Sequence, residues 1–570
     1  MIDWQSGNGY IANSNSNPSR KTISQPCLQY AINLPMDRRS FLHATACTSA
    51  ALLTSSRSAF AADAAIEITP QPAGPVISPH LYGHFIEHLG GVIYDGVWVG
   101  ANSKIANING IRKQFVDDMK NLRAPNLRWP GGCFADGYHW RDGIGAHRPR
   151  TYNYWQASMP AGYDHTEPNA FGIHEFMRLC RLTGAEPYLA ANMNSGSPGE
   201  FHDWVSYCNA PAGTLSLADE RAANGDKDPF AVKWWGVGNE SWGCGGDMNP
   251  ADYANLYRRF VTQFPAYEPK PILVAVGPRG HAKDLDLDWT RSFFESMTTG
   301  GHRSHVDGLS IHYYTDFRKT EERVATFDAR GWFDVLREGA RIESVIEQHW
   351  AIMSKYDPEH HTRLVVDEWG VWYRVGEEIA PNYLLSQPLT LRDALHTALT
   401  LDIFNRHADK IAMANVAQTI NCIHSLFLAK GDQYVRTPVY SVFEMYRPHM
   451  GAQQAQLRIH CEDLKVPSRT GASATMPAVS GSASIQGKTL TVTLTNPSLD
   501  APLTAKLRLT AGDIVEGKGT ILTHANMAAG NTFDHPTEVQ PAPLAVSIHG
   551  NGSAITLPPR SIISLELRLA

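Results

Sequence analysis

Eight short apolar runs, most followed by a stretch of helical periodicity, constrain this chain more than any single residue does. The runs are LYGHFIE (81–87), NLRWP (126–130), PYLAAN (187–192), VKWWGVG (232–238), PILVAVG (271–277), DGLSIHYY (307–314), RLVVDE (363–368) and KIAMANVAQ (410–418). Each has the length and composition of a buried strand. Between them lie segments such as IRKQFVDDMKNL, GIHEFMRLCRLTG and PADYANLYRRFVTQF, with apolar residues three and four apart, as on the inner face of a helix. Strands alternating with helices in this number predict a (β/α)8 TIM barrel over 81–448, closed by the helix TPVYSVFEMYRP (437–448).

Beyond the barrel the pattern changes. SIQGKTLTVTLTNPS, LTAKLRLT, LAVSIHG and SAITLPPRSIISLELRLA alternate apolar with polar residues between Gly, Pro and Asn breaks. They predict a C-terminal antiparallel β-sandwich over 449–570, with residues 62–80 contributing an N-terminal strand. The Ser/Thr/Ala-rich segment 467–482 reads as a flexible loop or linker. At the other end, MDRRSFLHATACTSAALLTSSRSAFAADAA, from Met36, has paired Arg38 and Arg39, an apolar run and a small-residue cleavage site before Ala62. Residues 36–61 therefore read as a twin-arginine signal peptide, and export to the periplasm or medium is expected. Residues 1–35, polar and rich in Asn and Ser, read as a non-native or disordered extension. The apolar run of the signal is too short and interrupted for stable membrane insertion.

The formal charge of −6 is small for 570 residues, so no nucleic acid or anionic membrane is expected as a partner. Six Cys lie beyond the signal, widely spaced and without a CxxC pair; twin-arginine substrates fold in a reducing cytoplasm, so mostly free thiols are expected. No HExxH motif, spaced His-carboxylate set or Gly-rich phosphate loop appears, and neither metal nor cofactor is expected.

Chemistry concentrates at two strand ends. In KWWGVGNESWGCGG (233–246) an apolar run stops at Gly238 and presents Asn239 and Glu240; in RLVVDEWGVWY (363–373) another stops at Asp367 and Glu368. In a (β/α)8 barrel these are the fourth and seventh strands, and both ends face one mouth. Two carboxylates so placed suit glycosidic bond cleavage, one protonating the leaving oxygen while the other attacks or stabilises the sugar carbon.

GHFIEHLGGVIYDGVW (83–98), LRWPGGCFADGYHWRDGIG (127–145), GVGNESWG (236–243), SIHYY (310–314), DEWGVWY (367–373) and NVAQ (415–418) together resemble the motifs of glycoside hydrolase family 51, chiefly α-L-arabinofuranosidases. The resemblance implies a retaining, exo-acting enzyme that removes terminal arabinofuranose from arabinan, arabinoxylan or arabino-oligosaccharides, with Glu240 as general acid/base and Glu368 as nucleophile. It further implies substrate-pocket roles for Glu87, Arg128, Cys133, Asn239, His312, Tyr314, Trp372 and Gln418, and assembly as a homo-hexamer. Cys133 stands where many members carry Asn, and a thiol hydrogen-bonds weakly. Ionised Glu368 is expected to push the Glu240 carboxyl up, keeping it protonated. Endo-β-glucanases and β-xylosidases share the scaffold and the carboxylate pair, and a non-catalytic carbohydrate-binding protein is the remaining alternative.

Overall fold

The computed structural model describes residues 62–570 apart from 71–73, 156–165, 283, 302–304, 321–322, 381–382, 470 and 472. The expected extension and signal, 1–61, lie outside the described residues. Eight parallel strands close into a barrel: β1 (Gly83–Phe85), β2 (Asn126–Trp129), β3 (Glu186–Ala190), β4 (Trp234–Val237), β5 (Ile272–Ala275), β6 (Gly308–Asp316), β7 (Arg363–Trp372) and β8 (Ile411–Val416). Closure is made by β8 against β1, with Asn415 opposite Gly83 and Val416 opposite His84. A layer of side chains from Tyr188, Trp234, Val274, Val365 and Met413 fills the interior, so the barrel is a packed core and only its mouth is open to chemistry.

Strand β1 is shorter than the apolar run 81–87, because Pro79–Tyr82 forms a 3-10 turn in which Ser78 Oγ accepts from the His80 amide at 3.2 Å. Helix starts follow local side-chain chemistry. The Asn249 side chain accepts from the Ala251 and Asp252 amides, and Pro250 takes the first turn of Pro250–Val261, where its missing N–H costs nothing. None of the described helices is long and apolar enough to cross a membrane.

Two further sheets pack face to face around an apolar interior that includes Ile66, Leu490, Val492, Leu507 and Leu565. Strand Ala62–Thr69 lies inside one of them, antiparallel to Gln456–His460 and parallel to Leu503–Leu509. Its alternation explains the position: Ala64, Ile66 and Ile68 are buried while Asp63, Ala65 and Glu67 are exposed. The sheets are otherwise antiparallel. The segment 467–482, expected to be a flexible loop, is instead partly structured. Ala474–Met476 pairs with Leu464–Val466, and Ser480–Gln486 pairs along its length with Thr489–Asn496. Small Ser and Ala side chains there let the strand approach helix Leu391–Arg406. Asp402 of that helix accepts from Ser482 Oγ and Thr493 Oγ1, both at 2.7 Å, and Asn405 Nδ2 donates to Ser482 Oγ at 3.0 Å. Every residue of the helix but Arg406 is buried between barrel and sandwich, which gives the barrel a rigid backing on its β7–β8 side.

Candidate active site

A bulge in β7 builds the centre of the mouth. Pairing runs from Ser310 opposite Val365 to His312 opposite Glu368, so β7 spends three residues where β6 spends two. A regular strand would send Asp367 and Glu368 to opposite faces; the extra residue turns both inward. Arg128 Nη1 donates to Glu368 Oε1 at 2.6 Å and Tyr314 OH donates to Oε2 at 2.8 Å. Donors on both oxygens fix the orientation of the carboxylate a nucleophile needs. Asp367 lies one layer below, accepting from Ser310 Oγ at 2.6 Å and Tyr188 OH at 2.9 Å, with Arg128 Nε 3.6 Å away. Burial alone would raise this carboxyl, but Arg128 and His312 overcome it and hold it at about 2. Arg128 completes its fork on Asn239 Oδ1 at 2.5 Å, and the Asn239 amide group donates to Cys244 Sγ at 3.8 Å.

Glu240 stands at the end of β4, beside Glu368. One oxygen of each carboxylate and a ring nitrogen of His312 lie within 4.8 Å of one another. His312 Nδ1 is 2.8 Å from Glu240 Oε1 and 3.4 Å from Glu368 Oε2, and its Nε2 is 3.3 Å from Asp367 Oδ1. Burial opposes a charge on this ring, yet Glu368 and Asp367 push it up to about 10. The expected raised Glu240 is therefore corrected. Burial does raise it, but the hydrogen bond and charge of His312 outweigh that, and the Glu240 carboxyl sits below its usual range. The sequence places His312 on the right strand; its cationic state depends on three carboxylates that only the fold gathers.

Cys133 requires a second correction. It is not a thiol facing substrate but one half of a disulfide to Cys244. Cys133 follows β2 and Cys244 follows β4, 111 residues apart in sequence, and no local motif announces the pair. Cys180, Cys208, Cys422 and Cys461 are free.

Glu87 forms the opposite wall, accepting from the Phe134 amide at 3.0 Å, Trp155 Nε1 at 2.6 Å and Gln418 Nε2 at 2.9 Å. Burial first, and the Glu368 charge second, push its carboxyl up to about 8. The Pro-Gly-Gly turn has its reason here: a Cβ on Gly132 would stand 2.5 Å from Glu87 Oε2. Trp372, half-buried, meets the Tyr314 ring edge-on at 5.1 Å and carries the Arg318 guanidinium 4.3 Å above its face. All ten residues singled out from the sequence thus lie around one mouth, Cys133 with altered chemistry. Missed were Trp155, on a loop without motif, and Arg318, Trp242 and His281. Arg318 and His281 carry charge–charge interactions with Glu240, and Trp242 meets the His281 ring edge-on at 6.4 Å.

Two family models match the chain. Residues 118–331 match the Alpha-L-arabinofuranosidase 1 domain and 367–561 the Alpha-L-arabinofuranosidase C-terminal domain. The intracellular exo-alpha-L-arabinofuranosidase of Bacteroides ovatus is 38% identical over 514 residues, covering 89% of this chain and 96% of that protein. The chain belongs to glycoside hydrolase family 51. Among solved members of family 51, the Xanthomonas axonopodis pv. citri arabinofuranosidase superposes with a TM-score of 0.82 at 36% identity, covering 89% of this chain and 100% of that one. The α-L-arabinofuranosidase of Thermotoga maritima, solved with arabinose, gives 0.76 at 27% identity over the same shares. A bifunctional glucanase-xylanase from a metagenome library, at 14% identity and a TM-score of 0.54, shares the fold alone.

Proposed function

We propose that this family 51 protein is an exo-acting α-L-arabinofuranosidase that releases terminal non-reducing arabinofuranose from arabinan, arabinoxylan or arabino-oligosaccharides by double displacement. The carrying observation is the closeness of the Glu240 and Glu368 oxygens, within 4.8 Å. Retaining glycosidases hold their carboxyl groups about 5–5.5 Å apart, whereas inverting ones leave about 6.5–9.5 Å for a water. Glu368, oriented by Arg128 and Tyr314, attacks the anomeric carbon while the leaving oxygen takes a proton from the Glu240–His312 pair. That pair holds one proton between two groups and titrates as a unit. Once Glu368 is an ester its charge is gone, and Glu240 accepts a proton from the incoming water. Asn239 and the Glu87–Gln418 wall face the sugar hydroxyls, and Trp372 offers an apolar edge.

The test is a time course of 4-nitrophenyl α-L-arabinofuranoside hydrolysis, with the β-D-xyloside and a β-glucan as controls and proton NMR of the first-formed anomer. Release from the arabinoside with retention, abolished by Glu368→Ala, is expected; activity on a control alone would move the substrate class. Glu240→Ala should keep more activity on aryl arabinosides than on alkyl ones, and equal losses would refute its role. Export rests on the Arg38–Arg39 signal and is tested by fractionation; hexamer assembly rests on family resemblance and is tested by sedimentation.

A further inference from the structure

The disulfide lies where a family 51 site needs control of its proton donor. The Cys133 and Cys244 sulfurs are 4.0 and 3.8 Å from Glu240 Oε2, while His312 engages the other oxygen, Oε1. A disulfide carries no S–H, so it offers Oε2 a polarisable wall and no competing donor. It also ties two loops into one unit. The Gly243 and Gly245 amides donate to the Glu240 carbonyl at 2.8 and 2.9 Å, so the Cys244 turn wraps Glu240's own backbone. The Cys133 side is continuous with Phe134, whose amide holds Glu87. Both Cys are half-buried, within reach of a small dithiol.

We propose that Cys133–Cys244 is a redox-responsive positioning element for the acid/base, an inference that rests on the assignment of Glu240 above. A dithiol reductant transfers two electrons and two protons to the sulfurs and leaves as its own cyclic disulfide; the S–S bond breaks and two S–H groups form. The tether between the loops is then lost, and two new donors compete for Oε2, the oxygen that His312 leaves open. Reduction thereby removes acid assistance while leaving Glu368, Arg128 and Tyr314 in place. Cleavage of poor leaving groups slows and cleavage of good ones does not.

The experiment compares kcat/KM on methyl and 4-nitrophenyl α-L-arabinofuranosides for the full chain, oxidised and after dithiothreitol, with thiol titration to confirm two added thiols. General acid catalysis supplies about 10²–10⁴-fold, so reduction is expected to lower the methyl arabinoside rate by about tenfold or more. The 4-nitrophenyl rate stays within about twofold, and reoxidation restores the ratio. The Cys133→Ser/Cys244→Ser variant should behave as the reduced protein and ignore dithiothreitol. An unchanged ratio after confirmed reduction, or parallel loss on both substrates, overturns the proposal. An oxidised protein that hydrolyses neither arabinoside fails the functional reading instead.

Discussion

Replacing His312 by Gln tests where the catalytic proton resides. The amide keeps a donor near Glu240 Oε1 and removes the cation. In the native site the Glu240–His312 pair retains its proton until His312 titrates, at about 10. In the variant the proton must sit on Glu240 alone, a carboxyl with an ordinary value of 4.5. Burial raises that carboxyl, and the charges of His281 and Arg128 remain to lower it. The alkaline limb of kcat/KM on methyl α-L-arabinofuranoside should therefore move to lower pH than the native limb near 10. The variant should lose activity with rising pH over a range in which the native protein still holds its plateau. With 4-nitrophenol as leaving group, which needs little acid help, the alkaline shift should be largely absent. The pH profile separates this from a packing defect, which would lower the plateau without moving the limb. An alkaline limb within about half a unit of the native one would mean that Glu240 alone carries the proton, and the pair would have no role in catalysis.

Gly132→Ala should place a methyl 2.5 Å from Glu87 Oε2; a shift of the wall by about 1 Å can cost about 100-fold, read as a raised KM with the melting temperature little changed. Glu87→Gln should alter the pH dependence of stability. The folded protein keeps a proton on Glu87 up to about pH 8 that the unfolded chain releases near 4.5, so native stability falls as pH rises through that window. Melting curves should show the variant gaining on the native protein between about pH 5 and about pH 8, and parallel curves would refute the assignment. Ile66→Ala opens a hole beneath Leu507 and Ile459, the cross-strand partners of a side chain only 1% exposed. It should cost about 2–5 kcal/mol in denaturant unfolding and leave kcat/KM of the folded protein unchanged.

The sequence by itself determined the barrel, because eight buried runs separated by amphipathic helices leave few other closed arrangements. It also determined the residue set at the mouth, because strand ends are readable once strands are ordered. Residues 62–80 likewise read as contributing a strand. Tertiary structure decided what those residues are. Whether Asp367 and Glu368 both turn inward depends on a bulge in the β6–β7 register that no local pattern carries. The charge on His312 depends on Asp367, Glu368 and Glu240, brought to it from the ends of two other strands. Cys133 and Cys244 are unremarkable at a separation of 111 residues and become a bond at a Cα distance of 5.6 Å. Protonation and cross-linking are set by distances of a few ångströms between remote segments, and spacing along a chain encodes such distances only through the completed fold.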